Sequence, residues 1–311
     1  MKRKISIIGA PVWLGQPHYG TQFGPDALRS VGLIDALRTI NGDVLDIGNA
    51  TPKQLPPASE AKAHNLKNLE AVRASVELLS EKVSQIVSAG RFPLVLGGDH
   101  SLALGSLAGI AKHYKNLGVI WYDAHADINT PETSPSGNIH GMPLAASLGL
   151  GHKSLTQLSG YAPKVNPENL VLIGIRDLDP GEISLIKEKK IKFFTSEDVL
   201  RLGVNAVIKE TLSYLAPRCD GIHLSFDLDV INPQEIAGVG TPAVGGVDLA
   251  STMEAMHLLF RSSKITSADF VEVNPLLDQD GQTTTAALTL IQALINGASA
   301  NETTFSETIA V

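Results

Sequence analysis

The sequence predicts an α/β fold: one domain on an open, mainly parallel eight-stranded sheet with helices on both faces. Three observations carry this. Short, continuous apolar runs recur, among them Phe92–Leu96, Gly118–Tyr122 and Leu170–Ile175. Runs of that length without polar alternation fit strands covered on both faces, as in parallel sheets. They alternate along the chain with longer stretches of helical periodicity, the pattern of strand–helix–strand units. The polar clusters richest in chemistry follow directly on strands, where open α/β sheets place their sites.

Composition sets the bounds. The chain has 311 residues, 43% hydrophobic and 18% charged, which suits one large globular domain. Residues 1–298 are expected to form it, and 299–311, rich in Ser, Thr, Asn and Glu, to fray. A net charge of -7 without a large Lys/Arg cluster argues against nucleic acid as a partner. No apolar run is long enough to span a bilayer, so no membrane partner is expected. The apolar run after Met1-Lys2-Arg3-Lys4 is too short for a signal peptide and meets Pro11, so it reads as a first strand. The only cysteine, Cys219, permits no internal disulfide and points to a reducing, cytoplasmic setting.

Each element has a local reason. A strand over 4–9 leads to a turn-rich loop, Gly20 to Pro25, and Pro25-Asp26 opens a helix to about Thr39. Val44–Ile47 is a second strand, and the proline-rich stretch 49–60 a surface loop. Leu66, Leu69, Val72, Val76, Leu79, Val83 and Ile86 recur at helical spacing, so one long helix is expected from Ala61 to Ala89, stopped at Gly90. After the strand Phe92–Leu96 a helix should run from Ser101 to Tyr114. Loop 134–141 precedes a small-residue helix to about Leu148. Strands follow at Leu170–Ile175 and Ile191–Phe194, then a helix to about Leu215. The remaining elements are a strand at Gly221–Phe226, a helix over 248–262, a strand at Ala268–Val273 and a helix from Thr284 to Ile295.

The chemistry gathers after three strands. Asp123, His125 and Asp127 follow Gly118–Tyr122 at alternate positions. Alternate side chains of an extended chain share one face. Asp227 and Asp229 repeat that spacing, and His100 ends the run Gly97-Gly98-Asp99-His100. Taken singly, each is a common solvated loop acid or a satisfied histidine. Gathered at three strand ends, buried carboxylates need cations or metal. Four carboxylates outweigh one divalent ion and roughly balance two. Oxygen-rich ligands with two imidazoles and no thiolate suit Mn²⁺, with zinc, nickel, cobalt or iron as alternatives. Two such ions can hold a bridging hydroxide and clamp a tetrahedral centre.

Gly97-Gly98-Asp99-His100-Ser101, Asp123-Ala124-His125-Ala126-Asp127 and Ser225-Phe226-Asp227-Leu228-Asp229 resemble the metal signatures of the ureohydrolases, which share a fold with histone deacetylases. The resemblance runs from Ser6 to about Ile295. It includes Asn129-Thr130, Ser136 to Pro143, Gly240-Thr241-Pro242 and Glu272-Val273-Asn274-Pro275. These loops are closer to bacterial, bacillus-like arginases than to agmatinases. The resemblance implies a hydrolase with two Mn²⁺ that converts L-arginine to L-ornithine and urea by attack of a metal-bridging hydroxide. It also implies a homo-oligomer, a trimer or hexamer. His100, Asp123, Asp127, Asp227, His125 and Asp229 would share the two ions, with Asp123 and Asp227 bridging and Asp127 completing one site. His140 matches the proton shuttle, and Glu272 the guanidinium anchor with Thr241 beside it. Asn129, Ser136 and Asn138 would meet the substrate carboxylate, and Asp179 with Glu182 the amino group.

The chain departs from the family pattern in two places. Val230 and Asn232 stand where arginases usually carry Gly and Asp, and loop Gln16–Gly20 lacks a basic pair common in bacterial arginases. Two other readings compete: a ureohydrolase for agmatine or guanidinobutyrate, and a non-catalytic guanidino-binding relative. The intact ligand set, His140 and Glu272 argue against the second.

Overall fold

The structure, a computed structural model, describes residues 3–59 and 64–296. One sheet organises them. Its strands are β1 (Ile5–Ala10), β2 (Val44–Asn49), β3 (Phe92–Gly97), β4 (Leu117–Tyr122), β5 (Leu170–Ile175), β6 (Lys192–Thr195), β7 (Gly221–Asp227) and β8 (Ile265–Val271). The order is β2-β1-β3-β8-β7-β4-β5-β6, and every pairing within the sheet is parallel.

The apolar runs explain the two-sided burial. Every residue of β1, β3, β4 and β5 is buried. Neighbouring residues go to opposite cores, as the pleat requires. Ile7, Leu94 and Ile120 join one core with Leu33, Leu259 and Leu290. Ile8, Val95 and Trp121 join the other with Leu79, Leu107 and Leu144. The edge strands β2 and β6 leave several residues at the surface in part, and interior strand β8 only Thr266.

The helices that cover the sheet are α1 (Gly24–Ser30), α2 (Leu33–Asn41), α3 (Leu69–Ser88), α4 (Ala103–Ile110), α5 (Pro143–Ser147), α6 (Lys153–Thr156), α7 (Pro180–Lys189), α8 (Ser196–Leu202), α9 (Val204–Leu215), α10 (Leu249–Ser262) and α11 (Gln282–Asn296). Helices α3 and α4 pack closely because α4 offers glycine at the contact. A Cβ on Gly105 or Gly109 would come within 2.5 Å of the carbonyl oxygens of Val76 and Ser80. No helix among the described residues is long and apolar enough to cross a membrane.

The differences from expectation lie mostly at helix ends. The helix expected from Pro25 to Thr39 is two, broken at Gly32 with φ 87°. The helix expected up to Leu215 is likewise two, parted by Gly203 with φ 82°. Left-handed glycine ends a helix without the steric cost a side chain would meet. The long helix starts at Leu69 rather than Ala61; residues 60–63 lie outside the described residues, while Leu66 is buried ahead of the helix. The helix expected over 101–114 begins as a 3₁₀ turn, His100–Leu102, and ends at Ile110. Helix α7 was not anticipated. The expected frayed tail, 299–311, lies outside the described residues.

Candidate metal centre and ligand cavity

Five neighbouring strands deliver the polar residues to the carboxyl edge of the sheet. His100 follows β3, Glu272 follows β8, Asp227 and Asp229 close β7, the Asp123 group follows β4, and Asp177 and Asp179 follow β5. The pieces are distant in sequence, and strand order makes them adjacent.

His100 lies flat on Trp121, with ring centroids 4.0 Å apart. Its Nε2 is 2.9 Å from Ser225 Oγ. A hydrogen donated from Nε2 to that hydroxyl leaves Nδ1 as a bare acceptor, the usual way a partner sets the tautomer of a ligating histidine. Nδ1 then faces Oδ2 of Asp123 at 3.0 Å, of Asp127 at 3.2 Å and of Asp227 at 3.1 Å. Neither His100 Nδ1 nor Asp123 Oδ2 has a hydrogen-bond partner, and both are buried. Acceptors gathered this closely repel unless a cation lies among them. Their spacing also suits an ion, since octahedral ligands at about 2.1 Å stand about 3 Å apart. Beside this group lies a second. His125 Nδ1 is 3.0 Å from Asp229 Oδ2 and 3.5 Å from Asp123 Oδ1. Asp123 belongs to both groups, and Asp227 to the first. Oδ1 of Asp227 accepts the Asp229 N–H at 2.8 Å. The donor set fits two hard or borderline divalent cations.

The electrostatics state the same demand for positive charge. Burial, then the negative charge of Asp123, holds Asp127 well above the usual carboxylate range. Burial, Asp229 and Asp123 do the same to Asp227. Burial resists charge on Asp123 too, but His100 and His125 outweigh it and pull its pKa down. Burial disfavours charge on His100, yet the carboxylates around it carry the imidazole up to about 9. His140 goes the other way, to about 3, through burial and then the positive charge of His125 and His100.

A cavity of about 190 Å³ opens beside this edge. The residues expected to bind substrate, Asn129, Ser136, Asn138, Asp179, Glu182 and Thr241, all line it, with His125, Asp127 and His140. Several are already committed. Asp179 and Glu182 form a capping box at the start of α7, and Glu182 Oε2 accepts the Asp179 N–H at 2.9 Å. Glu182 Oε1 accepts the Ile128 N–H at 3.1 Å, tying α7 to the loop beyond Asp127. Burial pushes Glu182 up to about 7, against those backbone donors. Asn129 spans the same gap, donating from Nδ2 to Asp179 at 2.8 Å while Oδ1 accepts from Thr133 Oγ1. Ser136 Oγ accepts the Asn138 N–H, and Thr241 Oγ1 lies 3.4 Å from Asp229 Oδ2.

Glu272 stands apart from the cavity wall. It is 1% exposed, and its Oε1 lies 4.0 Å from His140 Nδ1. Oε1 accepts the His100 N–H at 2.8 Å, and Oε2 accepts from Gln16 Nε2 at 2.7 Å. Both Asp127 and Glu272 have positive φ, 49° and 69°. Two further residues matter that sequence reasoning did not single out. The Arg176 guanidinium donates to the carbonyls of Gly174, Asp229, Val230, Ala243 and Val244, binding the Asp229 turn to the loop after Thr241. A cation directly after a strand was the available signal. Gln16 had none, being 256 residues from its partner. Asn232 serves its own turn, its Oδ1 accepting the Gln234 N–H at 3.0 Å.

Acids and imidazoles clustered at the carboxyl edge of a parallel α/β sheet, beside a polar cavity, mark a metal-dependent hydrolase. The sequence matches the arginase family over residues 3–296, and the chain belongs to that family. It is 52% identical to the arginase of Bacillus caldovelox over 94% of this chain and 98% of that one. The crystal structure of the arginase of Bacillus subtilis strain 168 superposes with a TM-score of 0.89 at 52% identity, covering 94% of this chain and 98% of that one. An Entamoeba histolytica arginase in complex with L-ornithine superposes at 0.87 with 36% identity, covering 94% and 99%. The chain is thus a hydrolase of this family.

Proposed function

We propose that the protein hydrolyses L-arginine to L-ornithine and urea with two Mn²⁺ ions. The observation that carries this is the pair of His/Asp groups sharing Asp123, set against a cavity whose wall includes Asn129 and Asp179. One group would be His100, Asp123, Asp127 and Asp227, the other Asp123, His125 and Asp229. Bound there, the ions supply water activated for attack near neutral pH. The chain's own residues do the rest. Glu272 offers a buried carboxylate to the guanidinium, and Asp179 offers charge to an α-ammonium. Asn129, Ser136 and Asn138 present neutral polar groups to the α-carboxylate. His140 lines the cavity and can pass a proton to the leaving amine. The L-ornithine held by the similar Entamoeba protein supports an amino-acid end for this cavity.

By the same kinship, residues 1–298 make one domain, and the protein is a cytoplasmic trimer or hexamer. A single sheet supports the first point, and the lone Cys219 the location. Exposed apolar side chains such as Leu200 and Leu276 favour assembly. The test is urea release by Mn²⁺-loaded protein from L-arginine, agmatine and guanidinobutyrate in parallel. L-Arginine should dominate; comparable kcat/KM for agmatine would overturn the substrate and leave the reaction class standing.

A further inference from the structure

From the geometry around Gln16 we infer that this residue positions Glu272 for the guanidine end of the substrate and adds an acceptor of its own there. The inference rests on the reading of Glu272 as the guanidinium anchor.

Gln16 is 4% exposed. Its Nε2 donates to Glu272 Oε2 at 2.7 Å, with a longer contact of 3.4 Å to Thr21 Oγ1. The amide orientation follows from chemistry: turned over, its oxygen would face a carboxylate. At 2.7 Å this hydrogen bond fixes the plane of the Glu272 carboxyl group. The opposite end of the amide is the telling atom. Gln16 Oε1 is buried and has no partner in the protein. A buried carbonyl left without a donor is costly, and a substrate with several N–H groups removes that cost. Space points the same way. A Cβ on Gly240, the neighbour of cavity-lining Thr241, would lie 2.3 Å from Gln16 Oε1 and 2.9 Å from Glu272 Oε2. Both oxygens therefore crowd the backbone of Gly240 next to the cavity wall, and only glycine leaves them room.

The backbone beside Gln16 is pinned for this task. Gly15 N–H donates to Asp99 Oδ2 at 2.8 Å, and Gly15 O accepts the His140 N–H at 3.1 Å. The short Gly15-Gln16 segment thus ties together the strand end before His100, the His140 turn and Glu272. A site that hydrogen-bonds a group discriminates against ligands lacking it.

The experiment uses Mn²⁺-loaded wild type, Gln16→Met and Gln16→Glu. It records kcat and KM for L-arginine, the inhibition constant of L-ornithine, bound metal and the melting temperature. L-Ornithine shares the amino-acid end and lacks the guanidinium. Both variants should lose about tenfold or more in kcat/KM, while ornithine inhibition stays within about twofold and metal content is kept. In a Glu272→Gln background the Gln16→Met effect should largely vanish, because partners in one network do not add. Unchanged kinetics, full additivity with Glu272→Gln, or an equal loss for ornithine would overturn the role of Gln16. If the variants do not fold, the free Oε1 can be tested in the wild type: L-arginine and its Nη-methylated form should differ, and equal kcat/KM would count against it. Wild type without urea release from L-arginine would overturn the underlying reading of Glu272 as well, so the two failures are distinguishable.

Discussion

Asn129 and Asp179 are joined side chain to side chain, Nδ2 donating to Oδ2 at 2.8 Å. The two residues assigned to opposite groups of the substrate's amino-acid end are therefore one unit. Asp179→Ala should lower kcat/KM for L-arginine by about tenfold or more and leave that for guanidinobutyrate nearly unchanged, because guanidinobutyrate has no amino group for Asp179 to hold. It should also cost about 1 kcal/mol of stability through the lost helix cap. Asn129→Ala should couple with it. Parallel urea assays on both substrates check the idea, and additive single and double variants would count against a shared unit.

Metal stoichiometry should follow the geometry. Asp123 contributes to both groups and Asp229 to one. Asp123→Ala is expected to lose both ions and nearly all activity, and Asp229→Ala chiefly one. Elemental analysis of dialysed protein reads this directly. Full urea release after exhaustive chelation would sink the metal mechanism.

His140→Asn should reduce kcat by about 10²–10⁴-fold, the usual worth of general acid–base help, with a much smaller change in KM. The imidazole lines the cavity beside the metal-ligating residues. A variant that turns over at the wild-type rate would leave His140 as a wall residue only.

How much of this was legible beforehand depended on distance along the chain. The strands were legible because burial on both faces writes an unbroken apolar run, as in Leu170–Ile175. The metal ligands were legible because Asp123, His125 and Asp127 share one short segment. Helix breaks were harder. Gly32 and Gly203 interrupt apolar patterns that continue across them, since Leu28 and Leu33, like Val199 and Val204, enter one core. Helix α7 does carry a signal, Asp179-Pro180 with Glu182 three residues after the cap, but the same two acids also match substrate-binding positions. The link from Gln16 to Glu272 exists only after strand order has placed β1 and β8 on either side of β3.

Away from the site, acid should weaken one edge of the sheet. Arg29 grips Asp46 on edge strand β2 through Nε and Nη2, both at 2.9 Å. Burial raises the Asp46 pKa, but the hydrogen bonds and charge of Arg29 outweigh it and leave the carboxyl below its ordinary value. A depressed folded-state pKa means stability present above the unfolded pKa and lost as pH falls below about 4. Asp46→Asn should therefore cost about 1–2 kcal/mol at pH 7 and progressively less in acid. Denaturant titrations at several pH values, with the metal load held constant, test this; a difference independent of pH would refute it.

Asp127 combines a φ of 49° with a buried carboxyl group beside Asp123. Left-handed backbone accepts Asn readily, and an amide there removes one of two repelling acids. The same substitution should then have opposite signs in two states of one protein. Without metal, Asp127→Asn should melt above wild type; with metal, below it. The position is one where folding alone would favour a different residue from the one present. An acid that weakens its own scaffold until an ion arrives makes native stability report metal supply, so a metal-starved cell would hold this chain in its more fragile form.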